Sequence, residues 1–185
     1  MAGDTSLSRD EIWMRKSAMH YLGQRASNIA SLRRVLARRA QRRLAPDADA
    51  AAMIERTIDY CSRNGFVDDA AFVEMKIRSG RSRGLSVRRI EAALGAKGVD
   101  RTLVAEALDA DERRRHEEVA AARLARRRRI GPWRRPDREF DPHKEVAVMV
   151  RGGFSASLAR RIVTAAPEEA ESLAADDGRV HEITK

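Results

Sequence analysis

Arginine is the residue type in this sequence that is best placed to do chemistry, and that chemistry is the binding of anions. Lysine and arginine together number 37 against 28 aspartates and glutamates, which gives a formal net charge of +9 at pH 7. The guanidinium group matches phosphate and carboxylate groups in a bidentate way. A chain this basic is therefore predicted to work beside nucleic acid, a nucleoprotein or another polyanion.

The arginines concentrate in three clusters. The first falls within residues 31–46, which contain no acidic residue, and comprises Arg33, Arg34, Arg38, Arg39, Arg42 and Arg43. The second comprises Arg78, Arg81, Arg83, Arg88 and Arg89. The third comprises Arg123, Arg126, Arg127, Arg128, Arg129, Arg134 and Arg135. A single arginine is more often only a solvated residue, but neighbouring cations repel one another unless an anion is near, so the clusters as sets favour binding.

The residues predicted to contact a partner or nucleic acid are Arg33, Arg34, Arg38, Arg88, Arg89, Lys97, Arg126, Arg127, Arg128, Arg129 and Arg151. Which cluster meets DNA and which meets protein is left open. Trp133 lies in a basic loop flanked by Pro132 and Pro136, where it could stack on a base. Packing over a helix end is the more common role for such a side chain, and it is the role predicted here.

Other residue types give no sign of catalysis or of metal binding. The four histidines are scattered without ligand spacing, and no phosphate loop, nucleophile motif or paired carboxylates can be found. The one cysteine, Cys61, follows Ile54 and Ile58 on an apolar stripe, which predicts a buried thiol. We expect no enzyme activity, no metal and no cofactor. The polar segment 1–9 and the lack of a long apolar run predict a soluble, cytoplasmic protein, expected to be a monomer.

Apolar residues recur at helical spacing in nine segments, and no segment alternates with the period of a strand, so an all-α fold is predicted. The seventh helix is the longest and most basic, over residues 111–129. Residues 1–10 are expected to be a disordered N-terminus. Residues 167–185 turn acidic and lose their apolar periodicity, which predicts a flexible acidic tail.

The helices form three copies of one pattern. The apolar anchors of the copies, 58 and 55 residues apart, are Leu36, Leu94 and Met149. Eight residues before them stand the N-cap types Asn28, Ser86 and Asp141. Four residues after them, where a helix should end, stand Ala40, Gly98 and Gly153. Caps, core and stops agree, which predicts three tandem three-helix repeats, at 11–65, 66–110 and 111–166, in an elongated array that can curve.

Short motifs at these positions resemble the RecX family. They are Tyr21-Leu22, Ser27 and Leu32 to Leu36 in the first copy; Gly65-Phe66-Val67-Asp68-Asp69 and Phe72 at the hinge; Arg83-Gly84, Ser86, Ile90, Leu94 and Lys97-Gly98-Val99 in the second; and Arg151, Gly153-Phe154-Ser155 and Ile162 in the third. The resemblance covers residues 14–165. It implies three tandem three-helix repeats that bind the filament of RecA recombinase on DNA, lie in its helical groove, and restrain recombinase, ATPase and coprotease activities in DNA repair, recombination and the SOS response.

The chain departs from the family pattern in the first copy, where Ala40 stands in place of a frequent glycine and residues 41–52 form a longer connection. An alternative function is a helix-turn-helix transcriptional regulator, because Lys97-Gly98-Val99-Asp100 joins two helices by a tight turn. The following helix offers few side chains able to read bases: Arg101, Thr102, Ala105 and Glu106. The turn also recurs in the third copy, which favours a structural role.

Overall fold

The structure, a computed structural model, describes residues 7–45, 48–108, 110–137 and 139–175. Ten helices are found in these ranges: α1 (Arg9–Gln24), α2 (Ile29–Arg43), α3 (Ala50–Arg63), α4 (Asp69–Ser82), α5 (Val87–Gly95), α6 (Arg101–Glu106), α7 (Ala110–Arg128), α8 (Pro142–Arg151), α9 (Ala156–Val163) and α10 (Pro167–Ala175). A short 3-10 helix, Gly131–Trp133, follows α7. The described residues form no strand, so the all-α prediction is confirmed. None of these helices is long and apolar enough to cross a membrane.

The helices correspond to the predicted repeats as α1–α3, α4–α6 and α7–α9, while packing groups the chain into two compact units. Unit 1 comprises residues up to Val73 together with Ala96–Asp100. Unit 2 comprises Glu74–Gly95 and the residues from Arg101 onwards. The exact repeat boundaries stay predictions.

The core of unit 1 is formed by the apolar faces of α1, α2 and α3. Its buried members are Met14, Ala18, Leu32, Leu36, Ala40, Met53, Ile54, Ile58, Cys61 and Val67. Cys61 is fully buried, as the apolar stripe predicted, and burial raises the pKa of its thiol. A thiol in this environment is neutral and packs as a small apolar side chain.

The start of α1 corrects the predicted disordered N-terminus of residues 1–10. Ser8 and Glu11 form a reciprocal capping box: the Glu11 amide donates to Ser8 Oγ at 3.1 Å, and the Ser8 amide donates to Glu11 Oε2 at 2.9 Å. Two orphan amides of the first turn are satisfied in this way, so the helix begins at Arg9. Residues 1–6 lie outside the described ranges.

The core of unit 2 is built around the long helix α7. Its buried members are Ala120, Ala121, Ala122, Leu124, Ala125, Ile130, Met149, Phe154, Ala159, Ile162, Val163 and Ala174. Four alanines on α7 let neighbouring helices approach it closely. Because alanine is only weakly apolar, the buried face of α7 is hard to recognise in the sequence, where the arginines of this helix are its most obvious feature.

The acidic tail predicted at 167–185 is wrong for its first nine residues, which form α10. This helix packs against α7, with Ala170 and Ala174 buried. Pro167 stands at the first helical position, where its missing N–H costs nothing. The sequence missed the helix because its buried face is made of alanine, a weak periodic signal. Residues 176–185 lie outside the described part of the chain.

The N-cap position of α2 is occupied by Asn28, as predicted, but its side chain does not cap the helix. Asn28 Nδ2 donates to the backbone oxygen of Lys97 at 3.1 Å. The amide of Ile29 is satisfied by a residue of the next repeat, Asp69, whose Oδ1 lies 2.7 Å away. The start of α2 is thus joined to two points of the second copy through hydrogen bonds.

The same joint recurs in unit 2 between the second and third copies. Ser86, at the start of α5, donates from Oγ to the backbone oxygen of Gly152 at 2.9 Å. The amide of Val87 donates to Glu117 Oε1 on α7 at 2.5 Å. Lys97 and Gly152 each follow their repeat's anchor by three residues, so the two joints use equivalent positions.

The third copy differs from the first two at the position that forms this joint. The position equivalent to Ile29 and Val87 is Pro142, which has no N–H that would need a carboxylate. Asp141 caps α8 locally, accepting from the Lys144 amide at 3.0 Å. Asn28, Ser86 and Asp141 look alike in the sequence as N-cap types. The side chains of Asn28 and Ser86 form a hydrogen bond to the next repeat, whereas that of Asp141 caps its own helix, α8.

Two glycines are required at these joints because the preceding repeat lies against them. A Cβ built on Gly98 would lie 2.9 Å from the Cβ of Ala30, and one built on Gly153 would collide with Ser86 Oγ. Both residues also have positive φ, 78° and 96°. In the first copy the equivalent residue, Ala40, lies within α2, which continues to Arg43, so no residue in the left-handed conformation is needed there. This explains the departure of the first copy from the family pattern.

Candidate functional site

The first arginine cluster is divided between internal contacts and open surface. Arg33 forms a bidentate ion pair with Glu55, with distances of 2.7 Å and 2.8 Å. The pair lowers the pKa of Glu55 and raises that of Arg33, in both cases mainly through the hydrogen bond between the two groups. Arg39 donates to the backbone oxygen of Ser17, and Arg43 lies over the ring of Trp13. Among the residues predicted to bind, Arg33 is therefore already engaged.

Two further predicted binding residues, Arg34 and Arg89, belong to the joints between repeats. Arg34 Nη2 donates to the backbone oxygen of Lys97 at 2.9 Å, beside the bond from Asn28. Arg89 Nη2 donates to the backbone oxygen of Arg151 at 3.0 Å. Their guanidinium groups hold the ends of α5 and α8 by their carbonyls. Lys97 and Arg151 contribute only backbone oxygens to these contacts.

Exposed cations remain around both joints. Arg38 on α2 and Arg88 on α5 are exposed, as are Lys97 and Arg151. Within the described ranges these four side chains form no ion pair or hydrogen bond. Around the joints, these are the predicted site residues that the fold leaves exposed: Arg38 and Lys97 in unit 1, Arg88 and Arg151 in unit 2.

The four consecutive arginines at the end of α7 also divide into two pairs. Arg126 lies 3.7 Å from Glu171 of α10, and Arg127 Nη1 donates to the backbone oxygen of Arg83 at 2.6 Å. Arg128 and Arg129 are exposed and line an open depression of about 370 Å³ with Arg135 and Asp137. The structure thus brings residues of the third cluster together around one concave surface.

Sequence reasoning missed Glu145, which positions one side of this depression. Glu145 lies on α8, is 3% exposed, and accepts from the amide of Gly131 at 2.8 Å. It also accepts from Arg134 Nε and Nη2 at 2.7 Å and 2.9 Å, and this pair raises the pKa of Arg134. These bonds fix the segment that leads from α7 to Arg135. The aligned repeats could have revealed Glu145, because a carboxylate stands there at a position where the first two copies have the apolar residues Leu32 and Ile90.

Trp133 packs against helices of unit 2, in line with the predicted packing role, and its ring is only partly exposed. It is partly buried against the core of unit 2, and its Nε1 donates to Glu171 Oε1 at 2.5 Å. Its indole is therefore held by α10, the helix that the sequence did not predict.

The described residues hold no group of three histidine, cysteine or carboxylate side chains that could bind a metal ion. The described residues that line the concave surface at the end of α7 are arginines and one aspartate. Its chemistry is electrostatic attraction and hydrogen bonding to an anion.

Comparison with known proteins agrees with this arrangement of helices. Residues 68–108 match the family model described as "RecX, second three-helix domain". The chain is 33% identical over 161 residues to a protein of Myxococcus xanthus named "Regulatory protein RecX", covering 84% of this chain and 86% of the relative. It is 33% identical over 173 residues to the protein of the same name from Agrobacterium fabrum, covering 91% of each. No solved structure matches the chain significantly. The chain therefore belongs to the RecX family of regulatory proteins.

Proposed function

We propose that this protein regulates the RecA recombinase by binding the RecA–DNA filament and restraining its recombinase, ATPase and coprotease activities in DNA repair, recombination and the SOS response. The observation that carries the proposal is the similarity, over nearly the whole chain, to proteins named as RecX regulators. The protein acts by binding and not by catalysis, as a monomer and without a cofactor.

The distribution of charge supports a filament as the target. Each unit carries exposed cations with no acidic partner in the described part of the chain, Arg38 in unit 1 and Arg88, Arg128 and Arg129 in unit 2. A filament offers two anionic surfaces, DNA phosphates and acidic protein side chains. Positive charge speeds encounter with such a target and makes the binding dependent on salt.

The test measures DNA-dependent ATP hydrolysis by RecA at a ratio of one copy of this protein to a few recombinase subunits. We expect hydrolysis and strand exchange to fall, because a bound protein that touches neighbouring subunits restrains their relative movement. Co-sedimentation with RecA filaments, with and without DNA, measures the binding itself. Unchanged hydrolysis at that ratio, with no co-sedimentation, would contradict the proposal.

The alternative, a helix-turn-helix transcriptional regulator, finds little support in the joints. The helix that would read bases, α6, has six residues. The turn before it is used as a joint, since Lys97 accepts hydrogen bonds from Asn28 and Arg34. A gel shift separates the two functions: sequence-independent, salt-sensitive binding supports the first, and strong preference for one duplex sequence supports the second.

A further inference from the structure

Helix α7 ends in an unusual way. Its last turn is closed by two bonds, from the Ile130 amide to the oxygen of Ala125 and from the Arg129 amide to the oxygen of Arg126, both 3.1 Å. The same pair of bonds closes α3, α4 and α8, where the residue in the left-handed conformation is Gly65, Gly84 and Gly153. In α7 that residue is Arg129, with φ of 53°, and it is the one non-glycine residue with positive φ in the described ranges.

This conformation costs free energy for any residue with a Cβ, and glycine avoids the cost. The arginine side chain does not recover it inside the protein. Arg129 is exposed, and in the part of the chain that the structure describes it forms no ion pair or hydrogen bond through its guanidinium group. Side chains held in a sparsely populated backbone conformation are concentrated at functional sites. The side chain of Arg129 is therefore expected to contact a binding partner.

The surroundings of Arg129 indicate what it contacts. Arg128, Arg129 and Arg135 line the depression at the end of α7, together with Asp137. Arg128 and Arg129 come from the end of the helix, whereas Arg135 comes from the segment fixed by the bonds between Arg134 and Glu145. Three arginines thus line the same depression from two separately anchored parts of the backbone, which is an arrangement suited to an oxyanion.

We propose that this depression binds a phosphodiester group of a nucleic-acid backbone, with Arg129 as a principal ligand. The described residues that line it include no aromatic or apolar side chain on which a base could stack. Recognition is therefore limited to phosphate oxygens and is independent of sequence. The proposal rests on the nucleic-acid contact of the proposed function, but not on the contact with RecA.

Asp137 is the residue in the depression that opposes an anion. Its carboxylate repels a phosphate and competes for the same guanidinium groups. It therefore weakens the site and keeps binding reversible. Asp137→Asn removes the negative charge at nearly constant size, so it is expected to tighten binding to DNA.

The test measures binding of the full chain to a fluorescent single-stranded oligonucleotide by anisotropy over a series of salt concentrations. For Arg129→Gly we expect about a 3- to 10-fold weaker affinity, and a slope of log affinity against log salt smaller by about 0.7 for each phosphate that is no longer neutralised. The melting temperature should stay unchanged or rise, because glycine suits the left-handed position. Loss of binding is thus separated from loss of folding.

The matched control is Arg160→Ala, which removes another exposed arginine, on α9, that is not among the residues lining the depression. It should change the affinity less than Arg129→Gly, and Asp137→Asn should change it in the opposite direction. Equal effects of Arg129→Gly and Arg160→Ala would overturn the proposal, because they would indicate only a loss of net charge. Unchanged affinity of Arg129→Gly would overturn it as well.

Inorganic phosphate and ATP distinguish the two sources of a phosphate group. If the depression bound a free phosphate or a nucleotide instead, phosphate or ATP would raise the melting temperature of the unmodified chain but not that of the Arg129→Gly variant. The two proteins would then bind DNA equally well, and that result would overturn the proposal. A failure of the RecA function is distinguishable: DNA binding would then depend on Arg129, although RecA hydrolysis would be unaffected by the protein. If the protein inhibits RecA but its binding to DNA does not depend on Arg129, the proposed phosphate site is wrong while the proposed function stands.

Discussion

Removing the buried carboxylate of Glu145 is predicted to destabilise unit 2 strongly. Glu145 is 3% exposed and accepts hydrogen bonds from the Gly131 amide and from Nε and Nη2 of Arg134. Glu145→Ala leaves a buried amide and a guanidinium group that is 20% exposed without their acceptor. Breaking a buried pair from one side costs about 3–5 kcal/mol. The partial exposure of Arg134 places the expected loss near the lower limit, at about 3 kcal/mol.

The assay is urea unfolding followed by the fluorescence of Trp133, in a Trp13→Phe background. Trp133 packs on the core of unit 2 and Trp13 on that of unit 1, so this background reports unit 2 alone. Lys144→Ala on the same helix is the control; its exposed pair with Asp141 should contribute below about 1 kcal/mol. In thermal unfolding, the loss at Glu145 corresponds to about 6–12 °C.

A second variant separates the ion pair from the packing position. The variant combines Glu145→Leu with Arg134→Met. Leucine at 145 matches Leu32 and Ile90, the apolar residues at the equivalent position of the first two copies, and methionine at 134 removes the paired charge. Replacing both partners leaves neither of these two charges without the other, so much of the loss should be recovered, although the Gly131 amide loses its acceptor. A loss below about 1 kcal/mol for Glu145→Ala would refute the reasoning, because the carboxylate would then contribute no more than a surface pair.

Two further predictions concern the joints between repeats. Gly98→Ala should destabilise unit 1 by about 1–3 kcal/mol in urea unfolding, because the new Cβ meets Ala30 and the residue has positive φ; Gly95→Ala, where the space is open, is the control and should be neutral or slightly stabilising. The pKa of Glu117 is raised by burial, with a further rise from Glu91 that Arg113 opposes. Since its folded pKa lies above the unfolded value, the free energy of unfolding should fall as pH rises from the ordinary carboxyl pKa through the raised one. Glu117→Gln keeps an acceptor for the Val87 amide, so it should remove that part of the pH dependence, and an unchanged profile would contradict the assignment.

The candidate site was only partly predictable because a positive charge in the sequence does not say whether an anion is already present in the fold. Arg34 and Arg88 are both exposed arginines near the start of a helix, but only Arg34 reaches the carbonyl of Lys97, 63 residues away in the chain. Arg38, Arg88, Arg128 and Arg129 remain open, and the assignment of each as a binding residue stays a prediction. Family membership, which rests on ordered motifs, could be read from the sequence and is confirmed.

The sequence by itself determined the features that depend on neighbours in the chain. Helical periodicity, the local cap Asp141, and the burial of Cys61 follow from residues within a few positions of one another, and the structure confirms them. Tertiary structure decided what Asn28, Glu145 and α10 do. Asn28 donates to another repeat, Glu145 has its partners outside its own helix, and α10 is held against α7 by buried alanines. Hydrogen bonds and close packing over long sequence separations satisfy groups that look the same locally, so their partners become known only when the helices are in place.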